Sequence, residues 1–260
     1  MSRHLAIVMA LGLLVSTAFG QQDEIKDHLP PPPEGKQWKL AWHDEFDGSV
    51  LDESKWETPP DGKRRDAWWM RKAVSLDGKG HLVIRTFKEG DRYIDGCART
   101  RGKFEHAFGY YVARIKLQEK PGHWSAFWLY NISEGKIGSQ GRDGSEIDIM
   151  EKPWLDDRVN HAIHWDGYGK EHRSAGKVAR APNLMRGFHT YSLLWTPTEY
   201  VFYIDGKETW RTDAGGVCQV PLYIKLSDEV GDWAGDIKKV KLPDEFLVDY
   251  VRVYDLVEKK

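Results

Sequence analysis

Gly144-Ser145-Glu146-Ile147-Asp148-Ile149-Met150-Glu151-Lys152-Pro153-Trp154 sets three carboxylates among apolar residues in a segment too short and too β-branched for a helix, and it reads as a strand. Strand period two puts Glu146 and Asp148 on one face and Ile147 and Ile149 on the other. Unbroken alternation would turn Glu151 to the apolar face, where an unpaired carboxylate is costly to bury. One extra residue, a β-bulge at Met150, returns Glu151 to the face of Glu146 and Asp148. The expected result is a row of three acids on one wall.

Outward from this strand the chain repeats one theme. Short alternating segments at Ala73-Ser75, His81-Thr86, Tyr93-Thr100, Gly109-Leu117, Ser125-Leu129, Asn160-Trp165, His189-Trp195, Tyr200-Ile204, Leu222-Leu226 and Phe246-Tyr254 are separated by turn dipeptides such as Asp77-Gly78, Asp166-Gly167 and Asp205-Gly206. About a dozen strands with no long amphipathic helix predict an all-β sandwich, and no composition break after residue 38 divides it. Residues 1–20 have the form of a signal peptide: Arg3, an apolar run from Leu5 to Val15, and the small-x-small site Ala18-Phe19-Gly20. Residues 21–37, with Pro30-Pro31-Pro32-Pro33, form a Pro-rich arm or linker, and residues 38–260 the domain. The mature chain is expected to be a monomer, secreted or periplasmic, with no membrane association after signal cleavage.

Losing Arg3 leaves 37 of 38 basic side chains against 40 acidic ones, so the formal charge moves from -2 to -3. That balance argues against nucleic acid as a partner. The outlier is 12 Trp and 11 Tyr, more than a polar chain can readily bury, so some are expected to line a cleft. Cys97 and Cys218 are the only cysteines; export permits one disulfide and the even count favours it, while two separate buried thiols is the alternative.

Paired carboxyls across a bound sugar are the apparatus of glycoside hydrolysis. Three acids crowded on one strand face repel, which raises the proton affinity of at least one and keeps an acid protonated near neutral pH. Neighbours on one strand cannot lie far apart, so the spacing expected is the ~5 to 5.5 Å of retaining enzymes. Two rivals are a charged solvent face and a metal site. The second is disfavoured because His161 and His164 fall on opposite faces by parity.

The string Glu146-Ile147-Asp148-Ile149-Met150-Glu151, preceded by Gly122-His123-Trp124-Ser125-Ala126-Phe127-Trp128-Leu129 and followed by Gly187-Phe188-His189-Thr190-Tyr191 and Trp195, resembles glycoside hydrolase family 16 over roughly residues 38 to 256. That family includes laminarinases, lichenases, agarases, carrageenases and transglycosylases. The resemblance implies a β-jelly-roll of two curved antiparallel sheets with a concave substrate cleft. It implies a retaining endo-glycosidase acting on a β-linked polysaccharide, with β-1,3- or mixed-linkage β-glucan the first choice. A galactan hydrolase, a transglycosylase and a non-catalytic carbohydrate-binding protein are the alternatives. Glu146 would be the nucleophile, Glu151 the acid/base, and Asp148 the hydrogen-bond partner that tunes them.

Trp124 and Trp128 share a face, and the resemblance places them in the cleft with Arg101, His164 and the loop residue Trp233. One of Trp68 and Trp69 is expected at a glycone subsite, Trp68 being the first choice. The run Lys63-Arg64-Arg65 before them is ordinarily solvated surface, although a sulfated or uronic-acid polysaccharide would give it a use. Ser125, Lys225-Leu226-Ser227 and Trp154 depart from the laminarinase pattern, which bears on substrate and not on catalysis. No cofactor is expected for catalysis. The resemblance does imply a structural Ca²⁺ distant from it, held by Asp249 with carbonyls of Glu45 and Gly80.

Overall fold

The computed structural model describes residues 27–132 and 135–259. The expected signal peptide and the first residues of the arm lie outside them. The strands among the described residues are, in chain order, β1 (Lys36–Asp44), β2 (Gly62–Arg64), β3 (Ala67–Trp69), β4 (Val74–Leu76), β5 (Leu82–Glu89), β6 (Arg92–Asp95), β7 (Cys97–Arg99), β8 (Glu105–His106), β9 (Gly109–Lys116), β10 (His123–Tyr130), β11 (Glu146–Lys152), β12 (Arg158–Trp165), β13 (Arg173–Arg180), β14 (His189–Trp195), β15 (Tyr200–Ile204), β16 (Lys207–Thr212), β17 (Leu222–Val230) and β18 (Asp244–Glu258). Eleven form one sheet, in the order β16-β15-β14-β9-β18-β5-β6-β3-β2 with β1 added on β18 and β4 on β5. Seven form the other, in the order β13-β12-β11-β10-β17-β7 with β8 beside β17. Apart from the parallel pair β3 and β6, the pairings are antiparallel. This is the all-β jelly-roll sandwich that the sequence led us to expect.

Period-two alternation builds the core. Phe127 and Leu129 of β10, Ile147 and Ile149 of β11, Ile163 of β12 and Leu226 of β17 are buried with Tyr111 of β9, Leu193 of β14 and Val251 of β18. Each such side chain contributes roughly 1.5–3 kcal/mol by leaving water. The alternate residues Ala126 and Trp128 instead form a separate small cluster with Cys97 and Trp69 on the other face of the seven-stranded sheet, which is the concave one.

Turn chemistry sets the register. Asp205 and Gly206 both take left-handed φ, 48° and 73°, closing the β15–β16 hairpin as the Asp-Gly signal predicts. A Cβ at Gly206 would also stand 2.8 Å from His28, so the turn doubles as a seat for the arm. The arm's described part is accordingly docked: Trp38 Nε1 donates to the Pro30 carbonyl at 2.7 Å, Tyr110 Oη to that of His28 at 3.1 Å, and Arg252 pairs with Asp27 at 2.7 Å.

The structure corrects one expected strand, answers the open question of the cysteines and adds a strand the sequence did not announce. Tyr93-Thr100 is not one strand but two: the chain leaves the larger sheet after Asp95 and enters the smaller at Cys97. Gly96 makes the crossing at a point where any Cβ would lie 2.7 Å from Val74 Cγ2. Cys97 and Cys218 are unpaired and buried: Cys97 packs under the concave face, Cys218 in the core between the sheets. β13, unpredicted, is a largely exposed edge strand in which Arg, Ser, Gly and Lys outnumber Ala175, Val178 and Ala179, so no apolar alternation marks it.

Candidate active site

The bulge lies where the alternation broke. Against β10, Phe127 pairs with Met150 but Trp128 pairs with Asp148, so Ile149 is the extra residue; against β12, Asp148 pairs with Ala162 and Glu151 with Asn160. Ile149 and Met150 are therefore both fully buried in the core, and Glu151 returns to the side of Glu146 and Asp148. Carboxylate oxygens of Glu146 and Asp148 and a ring nitrogen of His164 lie within 4.8 Å of one another. His164 pairs across from Glu146 in the strand register, and its Nε2 is 3.3 Å from Asp148 Oδ2.

The three acids sit in different fields. Burial pushes Glu151 well above the usual carboxylate range, and the neighbouring charges of Asp148 and Glu146 push it further; only Asn160, whose Nδ2 donates to Oε2 at 2.9 Å, and His164 oppose this. Asp148 is likewise raised well above its ordinary value, first by burial and then by Glu146 and Glu229. Its Oδ2 accepts no hydrogen bond among the described residues. Burial raises Glu146 too, but more modestly, because Tyr168 donates to it and the charges of His164 and Lys225 favour its anion. One carboxyl kept protonated and another held toward its anion is the division of labour that acid-assisted displacement needs. Substituting Asp148→Asn removes a carboxyl whose ionisation at higher pH would hold the proton on Glu151 more firmly. The acid must be protonated to work, so activity falls as pH rises through its pKa; lowering that pKa is expected to move the alkaline limb of a kcat/KM profile to lower pH. An unmoved limb would count against Asp148 as the tuning group.

Around the acids the cleft has two ends. A cavity of about 650 Å³ at the Glu146 end is lined by Arg64, Arg99, Arg101, Lys225, Trp128 and Tyr168, among others. At the Glu151 end, Trp154, Arg158 and Trp233 line a second of about 450 Å³. Trp233 stands edge-on to both Trp154 and Trp124, with ring centroids 5.5 Å apart, and is 43% exposed. The geometry thus brings Arg101, Trp128 and His164 to one end of the cleft and Trp233 to the other. Trp124 faces Glu229 across the strands and is nearly buried beneath the Arg65 guanidinium, 5.2 Å from its ring.

Trp68 is misplaced in the sequence reading. Strand alternation in β3 turns Ala67 and Trp69 inward, and Trp69 lines the cavity, its Nε1 donating to the Asp228 carbonyl at 2.9 Å. Trp68 carries the Arg92 guanidinium over its ring at 4.3 Å instead.

The residues expected to hold calcium are partly engaged with other groups. Gly80 does lie beside the Glu45 carbonyl, 3.9 Å from where its Cβ would be. Asp249, however, pairs with Arg114 at 2.6 Å, and the Glu45 side chain with Arg252 at 2.7 Å. A guanidinium thus already lies at the Asp249 carboxylate, whereas the Arg252 pairing takes the Glu45 side chain and not the carbonyl expected as a ligand. Among the described residues, the one His/Cys/Asp/Glu group close enough to hold a metal is Glu146, Asp148 and His164 themselves. His161, as parity requires, faces the other way: Nδ1 meets the Ile149 carbonyl at 2.7 Å, Nε2 meets Thr209 at 2.9 Å, and burial holds it down at about 4.

Sequence reasoning missed Tyr168, Asn160 and Glu229 as site residues and ranked Trp69 second to Trp68. Asn160 could have been found from strand pairing, since it is the polar residue opposite Glu151. Tyr168 sits in the loop after β12, where no periodicity reports direction. Glu229 belongs to the polar end of β17, which buries charge: it accepts from Arg64 Nε at 2.8 Å and from Arg65.

A family model described as glycosyl hydrolases family 16 matches residues 62–251. A β-glucanase of Rhodothermus marinus is 29% identical over 247 residues, covering 85% of this chain and 86% of the relative. A keratan-sulfate endo-1,4-β-galactosidase of Sphingobacterium multivorum is 29% identical over 239 residues, which cover 84% of this chain and 56% of that relative's length. The solved endo-β-1,3-glucanase of Pyrococcus furiosus superposes with a TM-score of 0.70 at 29% identity, covering 87% of this chain and 97% of that one. The matched region contains the bulged acid strand and both walls of the cleft, and the chain belongs to glycosyl hydrolases family 16.

Proposed function

We propose that the protein is an exported, retaining endo-glycosidase of a β-linked polysaccharide. The observation that carries this is the bulge in β11, which puts Glu151 on the face of Glu146 and Asp148. In the first step Glu151 gives its proton to the glycosidic oxygen as the bond from C1 breaks, and the Glu146 carboxylate bonds to C1. In the second, Glu151 takes a proton from water, the oxygen bonds to C1, and Glu146 leaves as carboxylate. Asp148, carrying a proton, donates to Glu146 and steadies its negative charge before the first displacement and after the second. A sugar hydroxyl in place of water would make the same site a transglycosylase.

No metal takes part in this reading, because the carboxylates do the work that a Lewis acid would do. Turnover is expected to be indifferent to EDTA; loss restored by added Zn²⁺ or Ca²⁺ would reassign Glu146, Asp148 and His164 as ligands.

The β-glucanase relatives support a β-1,3- or mixed-linkage glucan as substrate. The keratan-sulfate galactosidase relative supports a galactan, and the cationic lining of the cleft favours this second reading. Incubation with laminarin, lichenan, agar and carrageenan, with reducing ends as readout, tests the activity. Release from at least one is expected, and binding without release from any would favour a carbohydrate-binding protein.

A further inference from the structure

The walls at the Glu146 end of the cleft carry Arg64, Arg65, Arg99, Arg101 and Lys225, with Glu146 the one acid among them. Three of the cations have protein partners outside the cavity lining: Arg64 and Arg65 share Glu229, and Arg99 pairs with Glu57 at 2.7 Å. Two do not. Arg101 is exposed in the turn after β7 and has no ion pair among the described residues. Lys225 is only 6% exposed, and its ammonium has neither hydrogen bond nor ion pair among the described residues. It sits 3.6 Å from the centroid of Trp128, 5.1 Å from that of Tyr130 and 5.3 Å from that of Trp69.

This arrangement is a poor fit to a neutral sugar. The ammonium covers the face of Trp128, which is itself only 5% exposed, so a pyranose cannot stack there while Lys225 remains. The ring faces stabilise the cation by roughly 0.5–2 kcal/mol. The ammonium nitrogen is not among the fully enclosed unpaired polar atoms, so it opens to the cleft and its N–H donors can be reached from there. An anion with several acceptor oxygens would take those donors and the Arg101 fork together, as charge-assisted hydrogen bonds.

We propose that this end of the cleft is an anion subsite, in which Lys225 and Arg101 hold a sulfate ester or a carboxylate borne by a sugar ring of the polysaccharide. Sulfate and uronate share the chemistry recognised here: a single negative charge spread over oxygens and fixed to a pyranose. The proposal rests on the glycosidase reading for its placement beside Glu146, but binding tests it without turnover.

The experiment is affinity electrophoresis of the full-length mature protein through gels containing κ-carrageenan, its desulfated form, a β-linked glucuronan, its carboxyl-reduced form, and laminarin. Reducing-end release from the same polymers is measured alongside. The expected result is retardation by a charged polymer with a dissociation constant at least tenfold below that for its neutralised form. In Lys225→Met, which keeps the side-chain volume, and in Arg101→Gln, which is exposed and folds regardless, that preference should shrink tenfold or more. Preference for the sulfated or for the uronate polymer identifies the source of the anion. Equal retardation by charged and neutralised polymers would overturn the proposal, as would a preference unchanged in both variants. So would efficient cleavage of laminarin with no gain on any charged polymer, an outcome that leaves the glycosidase reading standing. If Lys225 served only to favour the Glu146 anion, Lys225→Met would lower release from every substrate by one factor without touching the binding preference, and that too contradicts an anion subsite. Release from no polymer would count against the glycosidase, while the electrophoresis still decides the subsite.

Discussion

Glu146→Ala is expected to lower turnover by roughly 10⁵-fold or more, the scale of losing a covalent nucleophile. The physical reason is local. Glu146 alone of the three acids has a phenol donating to it and both His164 and Lys225 favouring its anion, while Asp148 and Glu151 are driven toward the neutral form first by burial and then by neighbouring carboxylates. With the side chain gone, azide fits the space and attacks C1 from the vacated face. The expected product is an α-glycosyl azide, because a β-linked sugar is then inverted once and not twice. Return of activity with azide but no azide adduct would mean that Glu146 acts otherwise than as a nucleophile.

The second large effect is on stability. Beneath the cleft, His123 at the start of β10 meets Asp228 of β17 at 2.5 Å through Nδ1 and Asp244 of β18 at 3.2 Å through Nε2. Thr86 also donates to Asp228. This network ties the two sheets together behind the catalytic strand. Burial alone would push His123 down, but the two carboxylates outweigh it and bring it up to about 10. His123→Leu leaves Asp228, wholly buried, without its cation. Breaking such a pair costs about 3–5 kcal/mol, or roughly 10 °C in Tm for a domain of this size. The double variant His123→Leu/Asp228→Asn should recover part of the loss, since no naked charge remains. The folded value exceeds the unfolded one of about 6.5, so the contribution is complete below about pH 6.5 and disappears as pH rises through about 10. Thermal melts across that range should show the wild type losing this increment and His123→Leu lacking the slope; parallel curves would refute the assignment.

Much of the sandwich was legible because its strands obey period two. His189–Trp195 and Tyr200–Ile204 have the bounds that their alternation gives, and the Asp205-Gly206 turn follows from the left-handed preference of those residue types. The bulge was legible for the opposite reason, since a carboxylate out of phase had to be returned to the polar face. What stayed hidden obeys tertiary rules. β17 runs on from Leu226 through Ser227, Asp228 and Glu229 because each of these finds a partner across the fold: Trp128, His123 and Arg64. No local pattern announces that. Trp68 and Trp69 are adjacent and chemically alike, and their difference depends on the pairing of a three-residue strand. The ion pair that Asp249 makes with Arg114, 135 residues away in sequence, was likewise beyond any local pattern.

The roles proposed for Glu146, Asp148 and Glu151 require two displacements at C1, and the anomeric configuration of the product reports on that requirement. Proton NMR of a polysaccharide digest, followed from the first seconds of reaction, should show the new reducing ends appearing as the β-anomer, with α growing in only by mutarotation. Initial appearance of the α-anomer would mean a single displacement by water, and would contradict the role assigned to Glu146.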